Sequence, residues 1–139
     1  MGIREPYMAQ VRVHDAMHTG ILTTDATTPL RTVAKLMADQ RVHAIAVADP
    51  DHSRRPWGIV TAMDLAAAAS EDLAIPAGHA AVSEVVTVSS TDPLDHAAHL
   101  MVEHALSHLI VIDAATGHPS GILSTLDVVA VYAGPGDGE

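Results

Sequence analysis

Cysteine is absent from all 139 residues, which removes disulfides, thiolate metal ligands and a thiol nucleophile together. Phenylalanine is absent too, leaving one Trp and two Tyr as the whole aromatic complement. Single-stranded nucleic acid is held largely by bases stacked on aromatic rings, so that platform is missing. Lysine and arginine stop at Arg55. Residues 1–69 balance seven acids with Arg4, Arg12, Arg31, Lys35, Arg41, Arg54 and Arg55, whereas residues 70–139 hold ten acids and no fixed positive charge. The formal net charge of −10 therefore falls in the second half and repels a nucleic-acid backbone there. No apolar run nears the ~18 residues that span a bilayer, and Met1 to Gln10 lacks an apolar signal core. A soluble cytoplasmic protein is expected, with neither membrane nor nucleic acid as partner.

What is present is apolar content of 48%, supplied by Ala, Val, Leu, Ile and Met, which suits close packing of helices on sheets. It is also present twice. Gly58-Ile-Val-Thr-Ala-Met-Asp64 recurs as Gly121-Ile-Leu-Ser-Thr-Leu-Asp127, and Thr28-Pro29-Leu30 recurs as Asp92-Pro93-Leu94. Leu36-Met37 matches Leu100-Met101, and Ile45-Ala46-Val47-Ala48-Asp49 matches Leu109-Ile110-Val111-Ile112-Asp113. The offset is 64 from Pro29 to Pro93 and 63 from Gly58 to Gly121, so one residue is lost in the second intervening turn. A hydroxyl and a carboxylate three apart, repeated in register, point to two equivalent polar half-sites on a duplicated fold.

Periodicity gives each half a β-α-β-β-α plan. In the first, Val11 to Met17 reads as a lead-in and Gly20 to Thr24 as a turn into a strand. Thr28 or Asp25 is positioned to cap a helix with Pro29 in its first turn. Leu30, Val33, Ala34, Met37 and Ala38 form its apolar stripe. Ala44–Ala48 and Trp57–Val60 read as strands about the turn 49–56, and Asp64 opens an alanine-rich helix to Ala69. The second half gives strands near Val85–Val88, Leu109–Ile112 and Gly121–Leu123, with helices Pro93–Ala105 and from Ser124 or Thr125 to Tyr132. Domain boundaries follow: residues 9–69 and 82–133 as repeats, 70–81 as a connecting segment, and 134–139 as a disordered tail. Neither half has a comfortable core alone, so the two are expected to pack together.

Gly-h-x-[Ser/Thr]-x-x-Asp at the last strand–helix junction of such a repeat resembles the CBS domain, and two in tandem resemble a CBS pair, or Bateman module. The resemblance covers about residues 9–134 and implies an α/β fold of two packed repeats related by a pseudo-two-fold, as a stand-alone pair. It implies an adenosine-containing ligand (AMP, ADP, ATP or S-adenosylmethionine) in the cleft between repeats. Asp64 and Asp127 would take the ribose hydroxyls, and Thr61 and Ser124 would contact phosphate. His43 and His108 would be further phosphate contacts, Leu22 and Val86 would line the adenine, and Gly58 and Gly121 would let the backbone turn before the helix. The carboxylate and hydroxyl chemistry suits those tasks, although Asp is also a favoured N-cap. No resident cofactor is implied, with Mg²⁺ entering only beside ATP. A homodimer built through the small-residue helices, and a protein partner of unknown identity, are implied as well.

The two halves differ in detail. His18-Thr-Gly reads as an insertion of the first half, so one cleft is expected to be competent and the other weaker or closed. With no Lys or Arg after Arg55, phosphate neutralisation falls to first-half arginines or to histidines, a point against ATP. His96, His99 and Glu103 share one helix face and raise a metal-sensor alternative, but that face lies opposite the apolar stripe Leu94, Ala97, Met101, Ala105. A dimerisation module with empty clefts is the other alternative. No Ser-His-Asp order, P-loop or dinucleotide fingerprint appears, so catalysis is not expected.

Overall fold

A computed structural model describes residues 10–48, 56–68, 72–81 and 85–134. The turn expected at 49–56 falls almost wholly outside the described residues, as does the tail beyond Gly134. The chain divides into two compact units, residues 21–85 and residues 1–20 with 86–139. They are called the Asp64 unit and the Asp127 unit below.

In the Asp64 unit, β2 (Thr23–Asp25) runs parallel to β3 (Ala44–Ala48), which pairs antiparallel with β4 (Pro56–Thr61). A parallel pair needs a crossover, and α2 (Leu30–Gln40) supplies it. Leu30, Val33 and Met37, at helical spacing, are buried against Ile45, Val47 and Val60. Ala38 is exposed and Leu36 packs on the core instead, which moves one edge of the expected stripe. The short helix α3 (Ala62–Ala67) leaves β4, and α4 (Ala77–Ala80) follows within the segment read as a connector.

The Asp127 unit repeats the plan. Here β5 (Thr87–Ser89) is parallel to β6 (His108–Ile112), with α5 (Leu94–His104) crossing between them. Antiparallel to β6 lies β7 (Pro119–Ser124), which leads into α6 (Thr125–Ala133). Leu94, Ala97 and Met101 of α5 bury against Val88, Leu109, Val111 and Leu123. Two elements from the start of the chain complete this unit: α1 (Val13–Ala16), whose Val13 is fully buried in its core, and β1 (His18–Thr19), an edge strand antiparallel to β7. His18-Thr-Gly is therefore no insertion of the first repeat but a strand of the second unit.

The physical reason lies at the helix starts. Pro29 and Pro93 are themselves the N-caps of α2 and α5 and make no side-chain cap, so neither Thr28 nor Asp25 plays that part. The open amides find backbone partners instead. Leu30 N–H donates to Ile75 O at 2.9 Å and Arg31 N–H to Leu73 O at 3.0 Å. In the other unit Leu94 N–H donates to Val11 O at 2.8 Å. The returning bonds match at an offset of 64, with Ala77 N–H on Thr28 O and Val13 N–H on Asp92 O. Each repeat thus takes its supporting short helix from the segment that precedes the other repeat.

Candidate functional site

Each Gly-h-x-[Ser/Thr]-x-x-Asp motif folds into the same local structure. Thr61 is the N-cap of α3: its Oγ1 accepts from Asp64 N–H at 3.2 Å, and Asp64 Oδ2 accepts from Thr61 N–H at 2.8 Å. Ser124 caps α6 in the same way, Oγ accepting from Asp127 N–H at 3.1 Å and Asp127 Oδ2 from Ser124 N–H at 2.8 Å. These are reciprocal capping boxes, so both aspartates stand at the third helical position and are not N-caps. The box fixes each carboxylate while using one of its roughly four lone-pair positions. Each hydroxyl is thereby held at the first turn of its helix.

The glycines work differently from expectation. Gly58 and Gly121 lie inside strands, opposite Val47 and Val111, and neither makes a turn into the helix. A Cβ added at Gly121 would overlap the His18 carbonyl oxygen and lie 3.0 Å from Met17 Sδ. Gly121 is therefore a close-approach position that lets β1 seat on β7.

The two carboxylates have unlike surroundings. Asp64 is partly exposed and lines a recess of about 370 Å³ floored by Leu30, Ile75 and Ala68, with the exposed His79 of α4 on its wall. Asp127 is only 9% exposed, and the His18 ring lies over it, Nδ1 3.1 Å from Oδ1 and 3.3 Å from Oδ2. Neither His18 nor His79 stood among the residues expected to form a site. No periodic signal carries a two-residue strand, and the only trace of its contact is the second motif glycine.

His108 pairs across the sheet with Ser124, and its Nδ1 lies 2.9 Å from Ser107 Oγ. His43 is one residue out of step: it precedes β3, and it is Ala44 that pairs with Thr61. The His43 carbonyl accepts Ala62 N–H at 2.8 Å, and the Ser107 carbonyl accepts Thr125 N–H at 2.9 Å. His43 and Ser107 are thus structural counterparts that tie each motif helix to the neighbouring strand. Leu22 and Val86 both precede a first strand, pack against the cores and give their carbonyls to Ala46 and Ile110 amides. Within the Asp64 unit, the end of β4 thus brings Thr61 and Asp64 together, with the His43 backbone bonded to the first residue of α3. Within the Asp127 unit, β7 and β6 do so for Ser124, Asp127 and His108. Among the described residues no three His, Asp or Glu side chains converge as a metal site, and His99 lies 3.6 Å from Glu103 on an exposed face. Among the described residues no helix is long and apolar enough to cross a membrane.

Comparison with known proteins fits this geometry. The chain is 29% identical over 124 residues to a homoserine O-acetyltransferase of Methanosphaerula palustris, taking in 86% of this chain but 24% of the enzyme. A second such enzyme, from Methanocorpusculum labreanum, matches over the same fraction, so the chain spans 24% of the length of both curated relatives. Among solved structures, a CBS domain protein of Pyrobaculum aerophilum complexed with AMP superposes with a TM-score of 0.75 at 28% identity, over 90% of this chain and all of that one. The CBS domain pair of protein MJ0100, solved with 5′-methylthioadenosine and S-adenosyl-L-methionine, superposes with a TM-score of 0.78 at 21% identity, over 89% and 97% of the two chains. The family model of the CBS domain matches twice, at residues 13–71 and 77–134, and the chain belongs to that family as a tandem CBS pair.

Proposed function

We propose that this chain is a regulatory, non-catalytic module that binds an adenosine-containing ligand. The observation that carries the reading is the pair of capping boxes, each presenting a fixed carboxylate and a hydroxyl at a strand–helix junction. A carboxylate accepts two hydrogen bonds from a ribose cis-diol, and a hydroxyl beside a helix N-terminus can donate to phosphate. The AMP complex of the 28% identical Pyrobaculum relative supports the same class of ligand. On this reading Asp64 and Asp127 take ribose, Thr61 and Ser124 take phosphate, and His43 and His108 supply further donors. Leu22 and Val86 border the adenine. AMP, ADP and S-adenosylmethionine suit a chain without Lys or Arg past Arg55 better than ATP, which would bring Mg²⁺ with it.

A second copy of the chain is the proposed partner for α6, where Leu126 is 68% and Val129 57% exposed at i, i+3 spacing. The setting is cytoplasmic, and the module would pass its ligand state to a further protein.

The test is thermal. AMP, ADP, ATP and S-adenosylmethionine are each added at millimolar concentration and the melting temperature is followed, because any ligand selective for the native state must raise it. Asp64→Ala and Asp127→Ala, made separately, assign the shift to one half-site or both. A panel that leaves the unmodified chain unmoved overturns the sensing function and leaves a dimerisation module.

A further inference from the structure

We infer that His18 is a resident competitor for the Asp127 half-site, so that a ribose diol reaches Asp127 only by displacing the imidazole. The inference rests on the adenosine reading above and adds how one of its two half-sites is controlled.

The geometry leads there in three steps. Ser124 N–H already takes one position on Asp127 Oδ2. The His18 ring then spans the outward edge, with Nδ1 within 3.1 Å of Oδ1 and 3.3 Å of Oδ2. That outer edge, reaching both oxygens, is where two vicinal hydroxyls would have to bind. Ring and diol therefore compete for the same lone pairs.

The ring is also placed to leave. Its side chain is 78% exposed, against 9% for Asp127, so a rotamer change carries it into water while the carboxylate stays put. Its backbone is held, because β1 is pinned to β7 by the His18–Ile122 and Thr19–Gly121 pairs and by a glycine at 121 that admits no side chain. A tethered ring of this kind returns whenever the ligand goes. The Asp64 carboxylate, by contrast, has only Thr61 N–H as a partner among the described residues and lines an open recess. The two half-sites share a motif and differ in whether the protein itself occupies the carboxylate.

The test uses the full chain carrying Asp64→Ala, titrated calorimetrically with adenosine and with 2′-deoxyadenosine, with and without His18→Ala. Removing the ring is expected to tighten adenosine by about two- to fivefold, the range that a side-chain contact with one solvent-exposed partner sustains. 2′-Deoxyadenosine, which lacks one of the two competing hydroxyls, is expected to gain less. If Asp64→Ala weakens adenosine binding past the first titration range, the same two- to fivefold gain on His18→Ala is read at higher nucleoside concentration. Unchanged or weaker adenosine binding, or an equal gain for both nucleosides, overturns the inference. His18→Ser repeats the measurement should His18→Ala lower the melting temperature. An unmodified chain that binds no adenosine compound overturns the adenosine reading and this one with it. Binding by the unmodified chain with no gain in the variants overturns this one alone.

Discussion

Thr61 and Ser124 each accept one of the first amide hydrogens of a helix, and their paired aspartates return the bond. Substitution to alanine leaves that amide without its partner, so Ser124→Ala is expected to lower the unfolding free energy by about 0.5–2 kcal/mol. Urea denaturation followed by circular dichroism measures it. An unchanged midpoint would mean that water replaces the hydroxyl at no loss. Gly121→Ala is expected to cost more. The added methyl meets the backbone carbonyl of His18, which cannot swing aside as a side-chain end would, and strain of that kind costs about 1–3 kcal/mol. The same substitution should loosen His18 from Asp127, visible as a shift of the His18 ring resonances. A Gly121→Ala chain with native stability and unshifted His18 signals would deny the close approach. The motif serines, threonines and aspartates are legible in the sequence because their contacts span three residues. The His18–Asp127 pair spans 109 positions, and nothing local announces it.

At the scale of elements, α2 and α5 show how the duplication extends to backbone conformation. Both span eleven residues, both are capped by Pro, and both end on a left-handed residue that is not glycine, Arg41 at φ 57° and Ala105 at φ 54°. A left-handed L-residue costs about 1–2 kcal/mol, whereas glycine there costs the unfolded chain's extra freedom, about 0.4–1 kcal/mol. The difference favours glycine, so Ala105→Gly is expected to raise stability by about 0.5 kcal/mol. Thermal or urea unfolding reads it, and a loss of stability would show that the Ala105 methyl contributes packing that outweighs the strain. Helix stripes and strand runs were legible because periods of 3.6 and 2 repeat within each element. The four-residue helices α1 and α4 complete barely one turn and show no period, so the segments holding them read as lead-in and connector.

For the whole molecule, the exposed Leu126 and Val129 on α6 form the proposed contact with a second copy. Leu126→Glu with Val129→Glu is expected to shift sedimentation from dimer to monomer without lowering helical content, because both side chains already face outward. An unmodified chain that sediments as a monomer at tens of micromolar removes the proposal. The acidic second half sets a related condition, since like charges oppose association and added salt should favour the dimer by screening them.

The sequence by itself determined the family, the duplicated β-α-β-β-α plan and the polar residues of both motifs, because all three rest on local period and on short fixed spacings. Only the tertiary structure decided which segments share a core. The amides at Leu30 and Leu94 need acceptors that prolines cannot provide locally, and they take them from Ile75 and Val11, segments that each precede the other repeat. That exchange carries His18 into the Asp127 unit. It is why two motifs alike in sequence become one carboxylate open to a recess and one held under a histidine.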